Sequence, residues 1–169
     1  MARVLVLTQP KSLEIKETAD PPLAPDEVRL RTLYTGVSAG TELTFYRGVN
    51  PYLHKRWDDG LRLFLPAAES SLQYPIYGIG YEECGEVIEV GAEVRQVRPG
   101  DRIYGTWGHR THHVMTEAYA AQRILPPGLD PILGVFSHIG AIALNGVLDA
   151  AIRIGETVAV FGLGTPGQI

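Results

Sequence analysis

The feature that most limits what this chain can fold into is Gly162-Leu163-Gly164-Thr165-Pro166-Gly167, which directly follows the apolar run Thr157-Val158-Ala159-Val160-Phe161. That run has no polar alternation, so it reads as a strand covered on both faces, the kind found in parallel sheets. The glycines fit the pattern G-x-G-x-x-G. The first permits a tight turn, the second lets backbone approach a pyrophosphate, and the third allows a helix to pack closely on the strand. Strand, turn and helix start together predict the opening of a dinucleotide-binding Rossmann α/β domain, with Gly162, Leu163, Gly164, Thr165, Pro166 and Gly167 as candidate cofactor-binding residues. Only Gln168 and Ile169 follow, and the acidic residue expected about 20 positions further on is not present. The expectation is a truncated domain that does not hold a dinucleotide by itself.

The first half of the chain reads as β structure, and β structure resumes near residue 85. Arg3–Leu7 is an apolar run, and Leu13–Glu17 alternates with period two after a turn at Pro10. Asp26–Tyr34 places Val28, Leu30 and Thr32 on one face, and further strands are expected at Gly85–Gly91, Arg102–Gly105 and His112–Met115. Short strands punctuated by Gly and Pro suggest a small barrel or a sandwich. Residues 48–80 read as a long irregular loop carrying Tyr52, Trp57, Phe64, Tyr74 and Tyr77, either a satellite apolar cluster or the lining of a site. From Pro131 the apolar spacing becomes helical, softened at Asn145-Gly146 and ended at Gly155. The chain therefore divides into residues 1–130, a linking helical segment 131–155, and the start of an α/β domain at 156–169.

Composition removes several classes of function. A formal net charge of -4 leaves no basic footprint for nucleic acid. The apolar stretch Pro131–Ile154 is interrupted by Ser137, His138, Asn145, Asp149 and Arg153, which argues against a membrane span. Met1–Leu7 is too short for a signal peptide, so a cytoplasmic location is expected. The single cysteine, Cys84, excludes an internal disulfide and any multi-cysteine zinc site. At a strand entrance it reads as a small buried hydrophobe before it reads as a nucleophile.

The order of Val97-Arg98-Pro99-Gly100-Asp101-Arg102-Ile103, Leu125-Pro126-Pro127-Gly128-Leu129-Asp130-Pro131 and Gly155-Glu156-Thr157-Val158-Ala159-Val160-Phe161-Gly162 resembles the medium-chain dehydrogenase/reductase superfamily. The resemblance covers essentially the whole chain. It implies a mainly β fold, a GroES-like partly open barrel that carries the substrate, followed by a helix and the first strand of a truncated Rossmann domain that binds NAD or NADP. It also implies interconversion of a small-molecule alcohol and a carbonyl by hydride transfer.

Zinc-dependent members carry a Cys in the first bend and a Gly-His-Glu motif at the later strand entrance. Here the bend reads Gly36-Val37-Ser38-Ala39-Gly40-Thr41-Glu42, and the second site reads Gly80-Tyr81-Glu82. A hydroxyl and a phenol are poor replacements for thiolate and imidazole. The pattern is similar to a zinc-lacking branch that includes bacteriochlorophyllide a dehydrogenase-like proteins, so no metal is expected. The same match implies Ser38, Thr41 and Tyr81 as hydrogen-bond donors at the cleft, with Glu42, Glu82 and His138 as relay or orienting groups. For Thr41 and Glu82 a turn hydroxyl and a capping carboxylate are equally good readings, and for His138 a core position on an apolar helix is the alternative to a cleft position. His109, His112 and His113 read as partly exposed, with a three-histidine metal site as the lesser reading. A different class of function is a stand-alone GroES-like binding domain that forms a homo-oligomer through an unpaired edge at Thr157–Phe161.

Overall fold

The computed structural model describes residues 1–67 and 70–169. Strands β1 (Ala2–Gln9) and β2 (Ser12–Thr18) form an antiparallel hairpin, and β3 spans Glu27–Thr35. A short helix α1 (Glu42–Arg47) follows, then the hairpin β4 (Lys55–Asp58) and β5 (Leu63–Pro66), and the two-residue strand β6 (Ile76–Tyr77). Strands β7 (Glu83–Val90), β8 (Arg102–Gly105) and β9 (His112–Thr116) precede helix α2 (Glu117–Ala121). The 3-10 turn Pro131–Phe136 leads into α3 (Ser137–Asp149), and α4 (Thr165–Gln168) ends the chain.

The main sheet runs β8-β7-β3-β9, and a second sheet runs β2-β1-β6. An isolated bridge between Val4 and Arg110 ties the two together. The fold is mainly β, as the short alternating strands predict. Val28 and Leu30 are fully buried on β3, where they join Val87, Ile103, Trp107 and Met115 in the core. Each such side chain contributes about 1.5–3 kcal/mol by leaving water. Arg29, between them on the opposite face, is buried too, because Glu89 on the neighbouring β7 holds its Nε at 2.7 Å.

Three expectations need correction. Residues 48–80 are not simply irregular: β4 and β5 pair Trp57 with Phe64, whose rings meet edge-on at 5.0 Å, and Tyr52 adds a second edge contact to Phe64 at 4.8 Å. Aromatic pairs of this kind each add about 0.5–1.5 kcal/mol to the hairpin. The helix runs unbroken through Asn145-Gly146 and ends at Asp149, well before Gly155. The strand expected at Thr157–Phe161 is not formed, and Val158, Val160 and Phe161 are 53%, 58% and 95% exposed. A parallel-type strand exists only by virtue of its neighbours, and among the described residues none pairs with this segment.

Pro131–Asp149 is long and apolar enough to cross a membrane on length and composition alone, with a mean hydropathy of 1.6. Its start is nonetheless docked on the main sheet. Gly134 and Val135 are buried, and a Cβ at Gly134 would lie 2.9 Å from Cys84 Sγ. No residue of α3 itself is buried.

Candidate active site

The site is built where the bend after β3, the entrance to β7 and the loop before β9 converge. Two glycine-bearing segments make the convergence sterically feasible. Gly80 has φ +109°, and a Cβ there would fall 2.8 Å from Glu83 Oε1 and 2.9 Å from His109 Cε1. Gly108, at φ +76°, lies against the Gly78 carbonyl, where a Cβ would approach to 2.6 Å. Both positions demand a conformation and a closeness that only glycine supplies. The His109 backbone N–H then donates to the Ile79 carbonyl at 2.8 Å, which fixes one segment on the other.

A chain of buried polar groups results. Glu42, at the start of α1, is 5% exposed; its Oε1 accepts from the Ser38 backbone N–H at 2.9 Å, and its Oε2 lies 2.6 Å from His109 Nε2. His109 Nδ1 lies 2.6 Å from Thr35 Oγ1, and the Thr35 hydroxyl donates to Glu83 Oε1 at 3.3 Å. Glu83 is fully buried and accepts the Trp107 backbone N–H at 2.7 Å, so it also holds the loop that carries His109. Burial opposes charge on His109, but the hydrogen bond and field of Glu42, with Glu83 and Glu82 behind, raise its pKa above 6.5. As an imidazolium it donates from both nitrogens, which matches the acceptors on either side.

Glu82 sits beside this chain. Its carboxylate occupies the space left by Gly36, where a Cβ would come within 2.5 Å of Oε2. The Gly36 backbone N–H donates to the Glu82 carbonyl at 2.7 Å. Burial, then the nearby Glu42 and Glu83, push the Glu82 carboxyl up, while His138 and His109 act in the opposite direction. Burial likewise raises Glu83, against the pull of its bonds from Trp107 and Gly108. Tyr81 meets the ring of His138 edge-on at 5.2 Å.

Glu42 thus holds the Ser38 backbone, Tyr81 meets His138, and Glu82 feels the charges of both Glu42 and His138. Thr41 is exposed, and its bonds are made by backbone: its carbonyl accepts from Thr44 Oγ1 at 2.6 Å. His138 is exposed and ring-to-ring with Tyr81, so the core reading of this histidine is corrected. The three histidines before and on β9 do not converge. His109 is buried on Glu42, His112 Nδ1 pairs with Asp20 at 2.9 Å, and His113 stacks on Trp107 at 5.6 Å. His109 and Glu83 were not singled out as site residues from sequence, although Gly78-x-Gly80 opposite Gly108-His109 marks a close backbone approach. Cys84 is fully buried, and burial pushes its thiol up to about 11, which suits a packed side chain.

Residues 24–160 match the alcohol dehydrogenase GroES-like domain family. The chain belongs to that family. Among GroES-like relatives, the D-guloside 3-dehydrogenase of Escherichia coli strain K12 is 28% identical over 170 residues, covering 98% of this chain and 48% of that protein. The 2-desacetyl-2-hydroxyethyl bacteriochlorophyllide A dehydrogenase of Cereibacter sphaeroides is 27% identical over 138 residues, covering 72% of this chain and 38% of that one. A candidate zinc-binding dehydrogenase from Sinorhizobium meliloti 1021, solved with NADP, superposes with a TM-score of 0.73 at 22% identity, over 99% of this chain and 51% of that one. The chain therefore spans about half the length of the curated relatives it matches. The expected family and its mainly β, GroES-like fold are borne out.

Proposed function

We propose that this chain forms the substrate-side half of an NAD(P)-dependent oxidoreductase that interconverts a secondary alcohol and a carbonyl without zinc. Residues 1–130 are its substrate domain, 131–155 its link, and 156–169 the start of its dinucleotide domain. The observation that carries the reading is the placement of Glu82, a carboxyl with a raised pKa, against Gly36, beside the buried Glu42–His109 pair and next to Tyr81. The relatives' printed activities, D-guloside 3-dehydrogenase among them, agree with dehydrogenation of a hydroxyl-bearing small molecule.

The glycine turn suits a dinucleotide. Gly162 has φ +96°, a Cβ on Gly164 would find no atom nearer than Pro166 Cδ at 4.0 Å, and Gly167 packs directly on the Gly162 carbonyl. A dinucleotide held by its pyrophosphate at Gly162–Gly167 would supply a nicotinamide able to accept or deliver hydride. The metal site of zinc-dependent members does not fit these residues. Ser38 offers a neutral hydroxyl and Tyr81 a phenol, and Glu42 and His109 are committed to each other at 2.6 Å.

In place of a Lewis acid, the Tyr81 and Ser38 hydroxyls donate to the substrate oxygen. Glu82 exchanges the proton, and its raised pKa keeps both protonation states accessible nearer neutrality than an ordinary carboxyl would allow. His109 and Glu42 hold the Ser38 bend in place from behind. Glu82→Gln in the intact enzyme is expected to lower kcat by about 100- to 10,000-fold while NADH or NADPH affinity is retained. Turnover within about threefold of the parent would remove Glu82 from the chemistry. The alternative, self-association through an unpaired strand, rested on Thr157–Phe161, which is not a strand here. The same reading takes a small-molecule substrate and a cytoplasmic location, with only the start of the Pro131–Asp149 segment docked on the main sheet.

A further inference from the structure

Thr35 ends β3, and the antiparallel register of β3 on β7 sets it opposite Glu83. Its hydroxyl joins two buried groups: Oγ1 lies 2.6 Å from His109 Nδ1 and 3.3 Å from Glu83 Oε1. On the other side of the ring, Nε2 lies 2.6 Å from Glu42 Oε2. The polar groups therefore run in the order Glu42, His109, Thr35, Glu83.

A hydroxyl has one hydrogen, so Thr35 donates to one neighbour and accepts from the other. If it donated to His109, the imidazole would be neutral, and Glu83 would have to bring a proton of its own to Thr35. If it donates to Glu83, His109 carries hydrogen on both nitrogens, and one cation sits between two carboxylates. Two features favour the second arrangement. Glu42 approaches Nε2 as closely as a charge-assisted bond requires. The Trp107 backbone N–H donates to Glu83 Oε2 at 2.7 Å and Gly108 supplies a second backbone N–H, the setting of an anion. The charges that act on His109 are Glu42 from α1 and Glu83 and Glu82 from the entrance to β7, all of them acids. Its chain neighbour Arg110 turns its guanidinium toward Gly78, and His138 on α3 acts on Glu82.

We propose that Thr35 is a positioning residue for the reaction: by accepting the Nδ1 hydrogen of His109 and giving its own to Glu83, it keeps a cation fixed behind Glu82 and the Ser38 bend. This rests on the reading of Glu82 as the group that exchanges the proton. Burial, then Glu42 and Glu83, push the Glu82 carboxyl up, and the charges of His138 and His109 work against them. Without the Thr35 hydroxyl, the Nδ1 hydrogen faces no acceptor there, His109 sheds it more readily, and Glu82 rises further.

The test compares Thr35→Val, which keeps the shape but loses the hydroxyl, with Thr35→Ser, which keeps the hydroxyl. Val also fills the space that a replacement water would need. Nitrogen-15 NMR of the histidine rings in the intact protein reads the protonation state, with His109→Gln to assign the signals. In the parent at pH 6, both His109 nitrogens are expected to carry hydrogen. Thr35→Val should lower the pH at which Nδ1 loses its hydrogen by about 1–2, and Thr35→Ser should leave it within about 0.3. For alcohol oxidation, the acid limb of kcat should move to higher pH in Thr35→Val and return in Thr35→Ser, with the cofactor KM within about twofold of the parent. A bare Nδ1 in the parent at pH 6 overturns the assignment without any variant, so the test survives a Thr35→Val chain that does not fold. An unmoved His109 titration in Thr35→Val, or a Thr35→Ser titration as low as that of Thr35→Val, overturns it as well. A moved titration with an unmoved kcat limb upholds the role of Thr35 toward His109 and removes Glu82 from the proton exchange instead.

Discussion

Replacing Glu42 by Gln isolates the charge that organises the cleft. The amide oxygen can still accept the Ser38 backbone N–H, which Glu42 accepts at 2.9 Å, and the side-chain volume is unchanged. What disappears is the counter-charge 2.6 Å from His109 Nε2, in a place where both residues are almost fully buried. Removing one member of a buried pair costs about 3–5 kcal/mol when the other must stay charged. His109 can escape part of that cost by losing its proton, so the expected loss at pH 6 is about 2–4 kcal/mol. In the parent, the His109 pKa lies above 6.5 in the folded chain. The pair's contribution is thus complete below pH 6.5 and fades as pH rises through the folded value. The gap between parent and Glu42→Gln in urea unfolding should therefore be widest near pH 6 and fall to about 1 kcal/mol near pH 9. A double-mutant cycle with His109→Gln should return a coupling of about 1–3 kcal/mol at pH 6. A gap below about 0.5 kcal/mol at pH 6, or one that does not change with pH, would refute the charged-pair assignment.

Other perturbations probe neighbouring parts. Gly36→Ala puts a methyl 2.5 Å from Glu82 Oε2, so it should displace that carboxylate and depress kcat while costing only about 1–3 kcal/mol of stability; paired measurement of turnover and melting checks the separation. His113 is held down at about 4 against an ordinary 6.5, so its contribution to stability is present above pH 6.5 and is lost as pH falls through 4, by about 2–3 kcal/mol; acid unfolding of His113→Gln should lack that part of the decline. Gly162→Ala forces a side chain onto a residue at φ +96° and should weaken NADH or NADPH binding by the intact protein by about tenfold or more, read by nucleotide fluorescence titration.

How far the chain could be read in advance differs from element to element. The alternation of Val28, Leu30 and Thr32 predicts β3 because a half-buried strand imposes period two on its residues. Trp57 and Phe64 did not announce a hairpin, since a cross-strand pair becomes visible only once register is known. Thr157–Phe161 has the composition of an interior strand, but composition cannot supply the neighbours that make it one. Among the candidate site residues, Ser38, Glu42, Tyr81 and Glu82 stand at motif positions. His109 was not legible, because its partner Glu42 is 67 residues away and nothing local distinguishes it from His112 and His113. Glu83 was hidden in the same way, beside a Glu that drew attention for its motif.

The contact of Gly134 with Cys84 has a mechanical consequence. With no space there for even a methyl group, the start of the 131–149 segment is clamped to the barrel, while the helix beyond it has no buried residue to restrain it. The arrangement is a lever with its fulcrum at the clamp. The 13 residues of α3 extend about 20 Å, so a swing of about 10° carries the Asp149 end about 3 Å. His138, much nearer the clamp, moves by only about 1 Å in the same swing. Its edge contact with Tyr81 therefore lies near the clamp, where a swing of α3 displaces it least. The Tyr81–His138 contact is thus tied to the clamped end of the segment and not to its far end.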